Sequence, residues 1–367
     1  MNVALIALPS ITRVCTPPLS LAYLATLLEQ RRHIVRIYDL GLEPEATWSN
    51  AFLPLRSFRP HVVVVAGDRA ELRTAALEAL RQDQHERVFA LQMNRSSLDA
   101  HHVCYTVLAW MQQQWGGNEE QLPTLNAIDA LPFPARHLLS LERYHLRAVG
   151  GEFQTSMLIA GVDADQEDLV LRAPSQIVAE LRTVSAEFGL RHFLFPDVPL
   201  TMDRAWLEVL LRHLADAQLM VGWEASADAE LLDEALILAM AQVGCEALTL
   251  TMRASRVFES AQTRHRVSHV VSTAHDQGIY VRAYVHLEPP YESVPHLVDV
   301  AATFNLDDVR FEVPAAEALG DVADTAQVAQ LAHQIYDAGR DRQRFINRFG
   351  PALGSLIWRF RGQRSSG

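Results

Sequence analysis

The feature that most limits what this chain can fold into is a rhythm in its first hundred residues. Apolar runs at Val3–Leu8, Ile34–Leu40, His61–Ala66 and Val88–Leu91 alternate with stretches of helical periodicity at Leu19–Gln30, Glu71–Arg81 and Leu98–Gln114. A short apolar run bounded by turn signals reads as a buried strand, and apolar residues recurring every three to four positions read as one buried helix face. Strand and helix in alternation predict a parallel sheet covered on both faces.

The rhythm fails between Gly116 and Gly150, where Gly116-Gly117, Pro123, Pro132 and Pro134 break regular structure, as a connection between domains would. It then resumes with strands near Thr155–Ala160, His192–Phe195, Met220–Trp223, Ala247–Thr251, Tyr280–Val285 and Val309–Val313. Helices fit between them at Ser175–Phe188, Arg204–Ala217, Leu231–Val243, Val257–Gln277 and Ser293–Phe304. Six successive βα units are more than one open sheet usually needs, so a partial or complete βα-barrel is the economical solution. The 367 residues are enough for two domains with buried cores.

Charge and cysteine usage exclude several classes of function. A formal net charge of -12 argues against a protein that coats nucleic acid, because neutralising phosphates needs clustered positive charge. All 32 basic residues are arginines, which removes Schiff-base lysines, pyridoxal phosphate anchors and phosphate-loop ammonium groups. Cys15, Cys104 and Cys245 are far apart in sequence, which fits a reducing compartment and no structural disulfides. Met1–Pro9 has no basic region before its apolar run and reads as a first strand, and no segment is apolar enough to span a bilayer. A cytoplasmic protein is therefore expected.

Three segments carry a family resemblance. The first is Pro17-Pro18-Leu19-Ser20-Leu21-Ala22-Tyr23-Leu24-Ala25, followed by Glu29 and His33–Asp39. The second is Asp129-Ala130-Leu131-Pro132-Phe133-Pro134-Ala135-Arg136-His137-Leu138-Leu139. The third begins with Arg172-Ala173-Pro174-Ser175 and runs through Glu180, Gly189, Phe195-Pro196-Asp197 and Trp223-Glu224 to Gly244-Cys245. Together they resemble the cobalamin-binding radical S-adenosylmethionine enzymes, in particular those similar to the anaerobic magnesium-protoporphyrin cyclase. The resemblance implies an α/β chain with a Rossmann-like cobalamin-binding-type domain over 1–115 and a linker over 116–152. A partial (β/α)6 radical-SAM-type barrel over 153–325 and a helical, arginine- and aromatic-rich extension over 326–367 complete the expectation. Pro17, Pro18, Leu19 and Ser20 are the candidate cobalamin-loop residues that it implies.

The departures from that family set the functional expectation. Its enzymes hold a 4Fe–4S cluster on three thiolates spaced Cys-x3-Cys-x2-Cys after the first barrel strand, leaving one iron open to the cofactor. Here the corresponding segment, 155–168, contains no cysteine, and its Asp163, Asp165, Glu167 and Asp168 are hard oxygen donors. Phe195–Pro199 offers no glycine-rich turn, Arg253 stands where the family often has a carboxylate, and no glycine occurs between Gly67 and Gly116. Neither the cluster nor S-adenosylmethionine is expected, and cobalamin stays open.

The leading expectation is a catalytically degenerate binding or accessory protein, partnering an intact radical enzyme or a tetrapyrrole or secondary-metabolite pathway. One alternative is an active enzyme doing methyl transfer or cyclisation through unfamiliar ligands. The other is a barrel enzyme re-purposed around Asp197, Glu224, His286 and Glu288 at the carboxyl ends of the strands, with Glu312 beside them, as a metal or acid–base site. Solvated rim residues are the bland reading of that set, and no histidine pair has metal-ligand spacing. Between Arg340 and Arg364, seven arginines interleave with Phe345, Phe349, Trp358 and Phe360. That stretch, or the barrel mouth, is the expected contact for a protein partner or for membrane headgroups; a helix packed on the barrel is its bland reading.

Overall fold

The computed structural model describes residues 1–10, 16–43, 48–83, 85, 87–93, 100–115, 128–162, 169–196, 198–253, 260–287, 302–312, 330 and 334. Contacts group the chain into Met1–Val198 and Pro199–Gly367. The expected helices beyond Val285 and the arginine-rich stretch fall almost wholly outside the described residues.

In the first unit, β1 (Asn2–Ala7), β2 (Ile34–Asp39), β3 (Val62–Gly67) and β4 (Val88–Gln92) form a parallel sheet in the order β2-β1-β3-β4. β1 lies at its centre, with Ile6 opposite Tyr38 on one side and Val65 on the other. Every residue of β3 is buried, which is why its sequence is an unbroken Val-Val-Val-Val-Ala-Gly run rather than an alternation. Among its helices are α1 (Leu19–Gln30), α2 (Trp48–Ala51), α3 (Leu53–Phe58), α4 (Ala70–Gln82) and α5 (Ala100–Trp115). α1 buries Leu19 through Ala25 without interruption, so it is a core helix packed on α5 and β2 rather than an amphipathic surface helix.

The expected strand Thr155–Ala160 is corrected. β5 covers only Gln154–Ser156 and pairs in parallel with β8 (His192–Phe195). Ala160–Val162 instead forms β6, antiparallel to β7 (Leu169–Leu171), in a two-stranded sheet of its own. α6 (Pro174–Phe188) follows, starting with a proline that needs no hydrogen-bond partner and ending at Gly189, whose φ of +68° suits a residue without Cβ.

In the second unit, β9 (Gly222–Asp228), β10 (Cys245–Arg253), β11 (Tyr280–His286) and β12 (Asp308–Glu312) pair in parallel in chain order. α7 (Arg204–Ala217), α8 (Glu234–Gln242) and α9 (Ala261–Asp276) are each opened by a side-chain cap. Asp203 accepts from Trp206 N, Asp233 from Leu236 N and Ser260 from Thr263 N, each cap stabilising its helix by about 1 kcal/mol. At the turn into β10, Gly244 has φ +89° and its missing Cβ leaves room for the carbonyl oxygen of Val221. Each of the six strands read from the barrel pattern has a counterpart in β5 and β8 to β12, with β5 shortened to three residues and β9 reaching beyond the expected Trp223 to Asp228. The fold is α/β with parallel sheets.

Candidate functional site

In the second unit β11 and β12 alternate throughout and β9 and β10 alternate from Ala225 and Leu248 onward, and neighbouring registers align the alternation into two faces. One face carries Trp223, Ala225 and Ala227, then Leu248, Leu250 and Met252, then Val281, Ala283 and Val285, then Val309 and Phe311, all buried. α8 and α9, with Ile237, Met240, Val267 and Val271 buried, touch β10 and β11. The opposite face is polar. It brings Ser226, Thr249, Arg282 and Asp308 to one level, Asp228, Thr251, Tyr284 and Arg310 to the next, and Arg253, His286 and Glu312 to the carboxyl ends of their strands. A parallel sheet packed on both sides has apolar residues on both. A polar, part-exposed face at the carboxyl end of such strands is the place where barrel proteins hold ligands.

The structure separates the four rim candidates. His286 and Glu312 do end their strands, side by side in register. Asp197 and Glu288 lie outside the described residues. Glu224 is corrected: it is the third residue of a strand that continues to Asp228, so it sits in the lower half of the face, buried, with Arg282 Nη2 at 3.5 Å. The extension was hidden because Ala225, Ser226 and Ala227 are small and weak in strand preference. Asp228, missed in sequence, takes the rim position that Glu224 was expected to hold. Among the described residues no three His, Cys, Asp or Glu side chains converge as a metal site.

In the first unit, four side chains from distant parts of the sequence meet in a buried cluster. Glu180 of α6, fully buried, accepts from Arg136 Nη2 at 2.8 Å and from Arg172 Nη1 at 2.8 Å. Tyr23 of α1 donates to Glu180 at 3.3 Å and accepts from Arg172 at 3.2 Å. Burial pushes the Glu180 carboxyl upward, but Arg172 and then Arg136 outweigh it and hold the group below the usual carboxylate range. Burial, reinforced by the Glu180 charge, drives the Tyr23 phenol far above its ordinary value. Asp129 completes the arrangement by accepting from Ala173 N at 2.9 Å.

These charges clamp the segment that leaves β5. Arg136 reaches Thr155 Oγ1, Ser156 O and Met157 Sδ, and Arg172 reaches Leu158 O. From that clamp the β6–β7 hairpin departs, in the stretch where the resembled family carries its three cysteines. Tyr23, Arg136, Arg172 and Glu180 all lie in the segments that carry the resemblance. Helix periodicity held one clue: Glu180 lies on the buried stripe of Ile177, Leu181 and Val184, where an isolated carboxylate costs several kcal/mol unless cations meet it.

The cofactor positions follow. Pro17, Pro18, Leu19 and Ser20 are buried at the start of α1, where Pro17 O accepts from Leu19 N and Pro18 O from Leu21 N. Gly67 ends β3 against Leu8, whose Cβ would lie 2.9 Å from an added Cβ, so this glycine serves close packing within the sheet. Cys104 is buried in the core of the first unit and Cys245 at the start of β10, and Cys15 lies outside the described residues. Burial, then Glu224 and Glu246, pushes the Cys245 thiol well above its usual value, the reverse of what a metal-binding thiolate needs. As a donor set these residues do not fit a cluster held by three thiolates.

No family model matches the chain. An uncharacterized methyltransferase of Pyrococcus horikoshii is 22% identical over 280 residues, covering 62% of this chain, which spans 59% of that protein's length. The radical S-adenosylmethionine methyltransferase TsrM from Kitasatospora setae, solved with cobalamin and a 4Fe–4S cluster bound, matches 85% of this chain and 74% of its own. The TM-score is 0.59 at 15% identity. OxsB, a cobalamin-dependent S-adenosylmethionine radical enzyme solved with aqua-cobalamin, matches 91% of this chain and 55% of its own, with a TM-score of 0.60 at 11% identity. At such identities the likeness establishes the fold: a Rossmann-like domain with a radical-SAM-type barrel. It also overturns one expectation. Absence of the cluster and of S-adenosylmethionine was expected, yet TsrM holds the cluster and, in a second structure, an S-adenosylmethionine analogue, so that expectation does not stand.

Proposed function

We propose that this chain is a binding or accessory relative of the cobalamin-dependent radical S-adenosylmethionine methyltransferases, working with an intact radical enzyme rather than turning over alone. One observation carries the reading. The segment after β5, clamped by Arg136 and Arg172, carries an antiparallel hairpin and no thiolate in the stretch where the resembled family places three. The placement beside the anaerobic cyclases belongs to the same reading and is supported by Pro17–Ala25 and Asp129–Leu139. Those two segments join directly, with Ala135 N donating to Ala22 O and Thr26 Oγ1 to Phe133 O.

Cobalamin is the cofactor that the first unit would offer, at the carboxyl edge of its sheet. The polar face of β9–β12 is the seat for a small ligand, and the arginine-rich stretch between Arg340 and Arg364 is the contact for a protein partner. The reading concerns turnover rather than cofactor content. The test is anaerobic iron and sulfide reconstitution, with ultraviolet–visible and paramagnetic resonance spectra and an assay for reductive cleavage of S-adenosylmethionine, each with and without cobalamin. No cleavage product from the chain alone, beside a spectral change on adding cobalamin, is the expected result. Stoichiometric cleavage by the pure chain overturns the accessory reading in favour of an active methyltransferase-type enzyme.

A further inference from the structure

The helices that cover the apolar face of the second unit's sheet carry a pair of histidines that the polar face does not use. His265 and His269 lie four residues apart on α9, and both are exposed. On a helix, side chains at that spacing are neighbours on one face, with Cβ atoms about 5–6 Å apart. Two histidines at i and i+4 on one face are the arrangement by which a helix grips zinc. The pair corrects the expectation that no histidines in the chain have metal-ligand spacing.

The surroundings of the pair suit a ligand role. His269 has a polar neighbour at each ring nitrogen. Nδ1 lies 3.2 Å from Thr273 Oγ1, one turn further along α9, and Nε2 lies 3.8 Å from Glu234 Oε2 at the start of α8. Thr273 is only 9% exposed, so the hydroxyl that orients the ring is itself held by packing. A hydrogen bond at the second ring nitrogen is what orients metal-binding histidines. Two ligands of one tetrahedral zinc, each about 2.0–2.1 Å from it, stand about 3.3 Å apart, so His269 and Glu234 need to close by only about half an ångström to share a cation.

His265 makes no hydrogen bond or ion pair with another described residue, so its ring turns toward a cation without breaking one. The arrangement is a pair with a near neighbour rather than a converged trio, in keeping with the lack of a three-residue cluster among the described residues. Arg266, three residues before His269, opposes a cation there, and the Glu234 carboxylate offsets it.

We propose that His265 and His269 chelate a divalent transition cation of the zinc and copper class, with Glu234 as third ligand, so that the cation clips α8 to α9. Imidazole donors select such cations over magnesium and calcium, which take oxygen donors. The site is independent of the accessory reading and of any cofactor.

The experiment is calorimetric titration of the full chain, stripped of metal with EDTA, with zinc and then with magnesium, alongside NMR of the histidine rings. Zinc is expected to bind and to shift the His265 and His269 ring signals, and magnesium to do neither. Melting temperature should rise with zinc and fall back with EDTA, because the two rings meet only when α9 is helical. Losing a residue that merely orients a metal ligand costs about 10–100-fold in affinity, so His265→Gln, His269→Gln and Glu234→Gln should each weaken zinc at least about tenfold. All three positions are exposed, so the metal-free variants should melt with the parent chain. Unchanged zinc affinity in any of the three variants overturns the proposal. So does magnesium binding as tightly as zinc, or zinc that shifts other histidine rings and leaves these two unmoved.

Discussion

Replacing Glu180 by leucine tests the central claim about the first unit, that three charged side chains hold the exit of β5 from the inside. Arg136 and Arg172 are each 1% exposed, and Glu180 is 0% exposed. Glu180→Leu leaves two guanidinium groups buried without the carboxylate that faces both at 2.8 Å. Removing one partner of a buried ion pair typically costs about 3–5 kcal/mol, and here two pairs share the lost partner, so the loss lies at the upper end of that range. Typical domains are stable by about 5–15 kcal/mol, so the substitution removes a third or more of the total. Urea unfolding followed by circular dichroism measures the shift. The same reasoning demands that Glu180→Leu combined with Arg136→Met and Arg172→Met recover part of the loss, since no uncompensated charge then stays buried. A loss below about 1 kcal/mol for Glu180→Leu, or a triple variant less stable than the single one, refutes it.

Three further outcomes are expected. The Glu180 carboxyl is held low when folded, so its contribution is complete above the ordinary value of 4.5 and is lost as pH falls through the folded value. The Tyr23 phenol is held high, so its contribution is complete below 10.0 and is lost as pH rises further. Unfolding midpoints measured from pH 3 to 11 should therefore fall at both ends, and the acid-side fall should shrink in Glu180→Gln. Gly244→Ala places a Cβ against the Val221 carbonyl at φ +89° and should cost at least about 2 kcal/mol by denaturant titration. Cys104 and Cys245 should stay unmodified by iodoacetamide at pH 8 in the native protein, as mass spectrometry after digestion reads, and react fully in urea.

Much of the architecture was legible because helix and strand periods are local. Leu19–Gln30 and Arg204–Ala217 were read to the residue, and β3 was readable because a strand buried on both faces must be apolar throughout. The parallel α/β fold followed from the alternation alone. What escaped was decided by tertiary contact. The β6–β7 hairpin carries no periodicity long enough to register. The reach of β9 depended on pairing with β10 rather than on its own small residues. Glu224 moved off the rim for that reason and Asp228 moved onto it.

The hub shows the division most clearly. By composition Arg136, Arg172 and Glu180 look like solvated surface charges, and Tyr23 and Glu180 are 157 residues apart. A charge's burial depends on what folds over it, and no local pattern reports a partner so distant in the chain. Thus the sequence by itself determined the alternation of strands and helices along most of the chain, and that charge and cysteine spacing depart from the resembled family. The tertiary structure decided which polar groups share a face and which carboxylate is buried between two arginines. Those outcomes are set by non-local packing and by the cost of leaving a buried polar group unpaired.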